Sequence, residues 1–148
     1  MEEFNCYADA RRAEAYANLE FPGTYYLAYR DLPAIILEHV KGGTALDFGC
    51  GAGRSTRFLR KIGFEAIGVD IAEDMVRKAQ ELDPGGDYRL LEEGNLSRFA
   101  DATFDLVLSA FTFDNVPTME RKVEAFADLA RVLRSDGRII NLVSAPEI

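Results

Sequence analysis

A chain of 148 residues, 48% hydrophobic and 28% charged, is long enough for one layered core and contains no low-complexity tract. Its formal charge of −8 argues against a broad phosphate-binding face and so against a nucleic-acid partner, because such surfaces cluster Lys and Arg. No apolar run approaches a membrane span and Met1-Glu2-Glu3 opens no cleavable signal, so a soluble, cytoplasmic domain with no membrane partner is expected. Cys6 and Cys50 lack metal-ligand spacing, which fits a reducing compartment and predicts no metal site.

From Asp9 to Leu19 the residues suit a helix that ends before Phe21-Pro22-Gly23. A second helical stretch is expected from Tyr25 to Val40, with Leu27, Ile35, Ile36 and Val40 on its buried face. Pro33 should divide it, since proline lacks a backbone donor and disfavours helix at the residue before it. After Lys41-Gly42-Gly43 comes a strand, Thr44 to Phe48, and then Gly49, Gly51 and Gly53 at alternate positions before a helix from Arg54 to Lys61. A second strand, Glu65 to Val69, runs into Asp70; a helix from Ala72 to Leu82 stops at Asp83-Pro84-Gly85-Gly86. Asp87 to Leu91 suits a third strand, and a polar connection, Glu92 to Thr103, leads to a fourth, Phe104 to Ala110, apolar enough for burial on both faces. Pro117 to Leu133 is helical, with Val123, Phe126, Leu129, Ala130 and Leu133 on one face. Ser135-Asp136-Gly137 should turn the chain into the last strand, Arg138 to Val143.

Strands alternating with helices imply right-handed crossovers and a doubly wound, mostly parallel α/β sheet. Ligands of such sheets sit beyond the carboxyl ends of the strands, where Asp47, Asp70 and Ser109 fall. Glycine lets a ligand approach the main chain, so the turn at Gly49 to Gly53 reads as a cradle. A dinucleotide turn, and with it a nicotinamide-dependent oxidoreductase, requires a small residue where this chain has Arg54. Asp105, at the opposite end of its strand, reads as structural, and His39, the single histidine, as a surface or capping residue.

Four stretches in order resemble class I S-adenosylmethionine-dependent methyltransferases: Ala45 to Leu59 with its Gly-x-Gly-x-Gly turn, Ala66 to Val76 around Asp70, Phe104 to Val116, and Leu133 to Val143. Within that class the chain is similar to the type 11, ubiquinone-biosynthesis-like small-molecule group. The resemblance implies a Rossmann-like sheet of order 3-2-1-4-5 with N-terminal helices, and S-adenosyl-L-methionine as cofactor. It implies one binding domain over residues 1–148, with 1–43 as helical lid and 44–148 as α/β core.

Carried over to this sequence, the likeness implies that Asp47 and the main chain at Gly49, Cys50 and Gly51 surround the methionine part. Asp70, beside Ile71, would accept hydrogen bonds from two ribose hydroxyls, a natural match for an acceptor-only carboxylate. Asn95, with Leu96, is the favoured adenine contact and Glu93 the alternative; the main chain at Ser109 and Ala110 would face the cofactor's amino group. Tyr25, Tyr26, Tyr29 and Arg30 are candidates for a lid, with Arg30 either on the methionine carboxylate or in a surface ion pair. Cys50 reads as a small residue suited to a crowded turn.

Methyl transfer is an in-line displacement for which positioning alone supplies much of the rate, so a nucleophile motif is not required. Asp114 is the candidate general base for a small-molecule acceptor, against a capping or loop role; Phe111 and Phe113 are candidates for an acceptor pocket. Class members usually continue into two more strands, whereas this chain stops at Ala145-Pro146-Glu147-Ile148. The expectation is therefore a piece of a longer protein, or a homo-oligomer in which another chain covers the last strand, with a non-catalytic S-adenosylmethionine-binding module as the competing reading.

Overall fold

Residues 24–92 and 95–145 are described by a computed structural model; the helix expected over Asp9 to Leu19, Cys6, Glu93 and Pro146 to Ile148 lie outside the described residues. Helices α1 (Thr24–Arg30) and α2 (Leu32–His39) are separated at Asp31, with Pro33 in the first turn of α2, where its missing N–H leaves no bond unmade. Tyr29, Leu32 and Ile36 form the buried stripe, with Tyr25 and Val40 packed beside it. Leu27 and Ile35, expected to be buried, lie off this stripe and are exposed.

The strands are β1 (Thr44–Phe48), β2 (Glu65–Asp70), β3 (Asp87–Leu90), β4 (Phe104–Ala110) and β5 (Leu133–Leu142), and they form one parallel sheet of order β3-β2-β1-β4-β5, as expected. Alternate residues of the central strands enter two cores. Leu46, Val69 and Val107 pack on one face with Phe104, Phe113, Leu129 and Val132. Ala45, Ala66, Leu106 and Leu108 pack on the other with Tyr29, Leu32, Ile36 and Leu59.

Helices α3 (Arg54–Lys61), α4 (Glu73–Leu82) and α5 (Met119–Val132) follow the strands. On α5 the expected apolar face is corrected. Leu129 and Val132 are buried with Ala125 beside them, whereas Val123 and Ala130 are exposed and Phe126 lies at the margin, stacked on Phe113 at 4.4 Å between ring centroids. The stripe that meets the sheet is offset by one residue from the one with most apolar side chains, because Asp128 is also held inward, accepting from the Leu96 N–H at 2.7 Å.

β5 begins earlier than expected. Phe104 pairs with Leu133 and Leu106 with Arg138, so the segment expected to be a turn before the strand is an irregularity inside it. Gly137 permits this: a side chain there would meet that of Leu133 and the carbonyls of Arg134 and Asp105. Asp105 clamps the amino end of the sheet as anticipated, accepting from Gly43 N–H and Thr44 N–H, both at 3.0 Å, from Thr44 Oγ1 at 2.7 Å, and from Arg134 Nη1 at 3.0 Å. Burial would raise the Asp105 carboxyl; those bonds and the Arg134 charge outweigh it and hold the carboxyl below its usual range. Beyond β5 the sheet has no further strand among the described residues.

Candidate functional site

Sheet order reverses between β1 and β4, and the loops after those strands enclose a pocket. Tyr25, Tyr29, Gly49, Cys50, Arg54, Ser55, Ala110 and Phe111 line it around about 270 Å³ of space, part of it open to solvent. This is where a doubly wound sheet places its ligand crevice.

The glycine turn is fixed from β2. Gly49 and Cys50 both donate their N–H to the Val69 carbonyl at 2.9 Å, and Gly51 N–H donates to Asp70 Oδ2 at 2.8 Å. With these amides engaged, a ligand meets the turn through Cα faces and carbonyl oxygens. Gly49 and Gly53 adopt φ of +76° and +84°, and a side chain at either would overlap Thr112 or the Tyr88 ring. Thr112 locks the turn from the other side by donating to the Phe48 carbonyl at 2.9 Å.

Asp70 joins turn and helix. Its Oδ1 accepts from Ala72 N–H at 2.9 Å, ahead of α4, while Oδ2 holds Gly51. Burial raises its carboxyl, and the amides of Ala72, Gly51 and Ile71 work against that rise. These amides leave part of the carboxylate's acceptor capacity for a ligand hydroxyl. Ile71 beside it is exposed.

Asp47 lies under the pocket, fully buried. Its Oδ2 accepts from Ser55 Oγ at 2.5 Å and Thr56 Oγ1 at 2.6 Å, while Oδ1 is buried without a partner. Burial pushes this carboxyl up to about 6; the hydroxyl bonds from Ser55 and Thr56 oppose that, and the Asp70 charge adds to it. Tyr29, which reaches the same cluster, is raised well above the ordinary tyrosine range by burial and by the Asp47 charge. The Cys50 thiol is raised too, by burial and by Asp47 and Asp70, as befits a buried, unreactive turn residue.

Not every expected residue arrives. Arg30 is on the surface, its guanidinium on Asp31 at 2.8 and 2.9 Å, so the ion-pair alternative holds and the arginine in the pocket is Arg54. Asn95 is exposed and its Oδ1 accepts from Ser97 N–H at 3.1 Å and Ser97 Oγ at 2.5 Å; the Leu96 amide is taken by Asp128. Asp114 is exposed and accepts from Ser144 N–H at 3.0 Å and Ser144 Oγ at 2.6 Å, tying the loop after β4 to the chain after β5. Phe113 is in the core, while Phe111 lines the pocket. Ala110 lines it as well; Ser109 is buried, its Oγ without a partner. Of the tyrosines considered for a lid, Tyr25 and Tyr29 line the pocket, whereas Tyr26 is exposed.

Ser55, Thr56 and Thr112 join the site without a motif that marks them in the sequence. A signal was present for the first two: a buried acid on β1 requires donors, and Arg54-Ser55-Thr56 opens the next helix with hydroxyls and no acid.

Phe111 has a φ of +63°, a strained conformation for an aromatic residue, at the mouth of the pocket. Its ring meets Tyr25 edge-on at 5.9 Å, and the Arg54 guanidinium lies over the same Tyr25 ring at 4.3 Å from its centroid.

A five-stranded parallel sheet of this order, with a glycine turn after β1 tied to a carboxylate ending β2, defines a Rossmann-like α/β domain. The chain matches the model of the methyltransferase domain family, type 11, over residues 46–141, and it belongs to that family. It is 31% identical over 126 residues to demethylmenaquinone methyltransferase of Bacillus licheniformis, covering 81% of this chain and 53% of that one. The crystal structure of the PH0226 protein from Pyrococcus horikoshii is similar at a TM-score of 0.73 and 30% identity, covering 84% of this chain and 57% of that one. A phosphoethanolamine N-methyltransferase of Haemonchus contortus, solved with phosphoethanolamine and S-adenosylhomocysteine, shares the fold at a TM-score of 0.68 and 22% identity, covering 99% of this chain and 34% of that one. The chain spans between about a third and a half of the length of the curated relatives it matches.

Proposed function

We propose that this domain binds S-adenosyl-L-methionine and transfers its methyl group to a small-molecule acceptor. The observation that carries the reading is the joint between the glycine turn after β1 and the end of β2, in which the Asp70 carboxylate holds the Gly51 amide and keeps acceptor capacity for a ligand hydroxyl. Family membership and the demethylmenaquinone methyltransferase relative support it. The residues fit the cofactor: Asp70 for the ribose, the turn at Gly49 to Gly51 for the methionine part, and Asp47 Oδ1 and Ser109 Oγ as buried acceptors without a protein partner.

When bound, the cofactor supplies a methyl group already activated by its sulfonium. The chain's own work is to position and to exclude water. Tyr25 and Phe111 wall the mouth, and the strained Phe111 backbone is held by its N–H on the Leu142 carbonyl at 2.8 Å. No free general base lines the pocket among the described residues: Tyr29 and Cys50 stay protonated, Asp47 is buried beneath, and Asp114 is occupied by Ser144. The arrangement suits acceptors that need no base from this domain, such as nitrogen or carbon nucleophiles or phenols already ionised.

A cytoplasmic setting, one domain with residues 1–43 as lid, no nucleic-acid partner on a chain of charge −8, and a second copy over the β5 edge belong to the same proposal. No described helix is long and apolar enough to cross a membrane, and no described group of three His, Cys, Asp or Glu is placed to hold a metal.

Calorimetry with S-adenosylhomocysteine tests the reading. Asp70→Ala should weaken binding by about 2 to 4 kcal/mol through the loss of charge-assisted hydrogen bonds, with a thermal melt confirming the fold. Unchanged affinity would refute the ribose assignment, and absence of binding to the wild type would refute the cofactor.

A further inference from the structure

We propose that Asp114 is a positioning residue: through its clasp on Ser144 it holds the strained Phe111 backbone, and with it the ring that limits how large a group the pocket mouth admits beside the transferred methyl. The inference rests on the cofactor reading above and concerns the side from which an acceptor approaches.

Phe111 is the first residue past the last β4–β5 pair, Ala110 with Leu142. Its φ of +63° is disfavoured for any residue with a Cβ, and such a conformation persists only where the surroundings fix it from several sides. Here they do. The Phe111 N–H donates to the Leu142 carbonyl at 2.8 Å, and its carbonyl accepts from Asn115 Nδ2 at 3.3 Å. Thr112 Oγ1 donates to the Phe48 carbonyl at 2.9 Å, which ties the next residue to the end of β1. Asp114 closes the loop: Ser144 donates its N–H to Oδ2 at 3.0 Å and to Oδ1 at 3.3 Å, and its Oγ to Oδ2 at 2.6 Å.

Of these ties the Asp114 clasp is the one with an ionisable acceptor, and bonds to a charged acceptor are the stronger kind. It also joins the two chain segments beyond the Phe111–Leu142 bond, because Asp114 follows Phe111 and Ser144 follows Leu142. The clasp therefore keeps that bond closed from the outside, and the left-handed turn at Phe111 with it.

What the ties hold in place is a ring. Phe111 lines the pocket and meets the Tyr25 ring edge-on at 5.9 Å between centroids, so α1 and the loop after β4 face each other across the mouth. Glycine would take this backbone conformation without strain; phenylalanine adds an apolar wall. Gly49, Cys50 and Ala110 line the pocket with it, which puts the wall beside the turn assigned to the methionine part. In-line displacement leaves an acceptor one line of approach, and a misplacement of about 1 Å on that line is costly.

The test reads size selection by calorimetry and needs no acceptor. S-adenosylhomocysteine is compared with two aza analogues of the cofactor, in which a nitrogen bearing methyl or benzyl replaces the sulfonium. The wild type should bind the benzyl analogue about tenfold more weakly than the methyl one, because a fixed ring must be pushed aside. Phe111→Ala should remove that difference. Asp114→Ala should narrow it to about threefold or less, with S-adenosylhomocysteine affinity within about twofold of wild type. Asp114→Asn keeps a carbonyl oxygen for Ser144 and should restore the wild-type ratio. Ser144→Ala loses the hydroxyl bond alone and should fall between wild type and Asp114→Ala. Melting curves accompany every variant; if Asp114→Ala does not fold, the ratio in Ser144→Ala carries the test. Equal binding of the two analogues by the wild type, an unchanged ratio in both clasp variants, or equal losses for all ligands would overturn the positioning role and leave the cofactor reading intact. A wild type that binds none of the ligands removes both.

Discussion

Asp47 offers a measurement that needs no ligand. Burial lifts its carboxyl from an ordinary 3.8 to about 6, against the pull of the Ser55 and Thr56 hydroxyls. Because the folded-state value lies above the unfolded one, the unfolded chain releases its proton first as pH rises. The Asp47 contribution is therefore intact below about pH 4, declines between about pH 4 and 6, and levels off above. A shift of about two pKa units corresponds to about 3 kcal/mol of stability withheld at neutral pH. Asp47→Asn is neutral throughout and nearly isosteric. Urea unfolding of both proteins at pH 4, 5, 6 and 7 should show the variant gaining about 3 kcal/mol relative to wild type across that range. Other carboxylates cancel in the difference, provided the variant leaves their surroundings unchanged. A flat difference, or one of opposite slope, would refute the claim that this carboxylate is dry and incompletely paired. Ser55→Ala removes an opposing bond and should steepen the slope.

Asp105→Ala should destabilise by about 2 to 4 kcal/mol in guanidinium melts, since it orphans two amides and the Arg134 guanidinium at the start of the sheet. Its pH signature is the reverse of that of Asp47: a carboxyl held below its usual range stabilises above about pH 4, and that contribution is lost as pH falls through the folded-state value. Gly49→Ala should cost about 2 to 4 kcal/mol by thermal unfolding, combining a positive φ with overlap on Thr112; a loss under about 1 kcal/mol would show that the turn yields. At Phe111 the usual preference for alanine over glycine should invert, with Phe111→Gly more stable than Phe111→Ala by about 1 kcal/mol, because φ of +63° suits glycine; the usual order would show that the backbone relaxes.

What could be read from the sequence and what could not divide along the separation between partners. Strand runs such as Phe104–Ala110 are apolar because both faces are covered, and the alternation with helices then restricts the crossovers, so the sheet order follows from local pattern and chirality. Asp70 was accessible for the same reason, since an acid ending a strand can close onto the neighbouring turn and cap the next helix within a few residues. Two of the residues that the structure engages elsewhere have partners far along the chain. Asp114, whose sequence allows a base or a loop role, ties its loop to Ser144, and the Leu96 amide is occupied by Asp128 of α5. The offset of the α5 stripe and the irregularity in β5 have the same origin, because both depend on how an element meets one it does not adjoin in sequence. Arg30 and Arg54 show the consequence for function. Both arginines stand near candidate lid or turn residues, but only Arg30 has an acid beside it in sequence. The adjacent Asp31 carboxylate satisfies Arg30 at the surface, whereas the packing of α1 against the turn after β1 brings Tyr25 over Arg54. A cation's surroundings are thus set by which element packs over it.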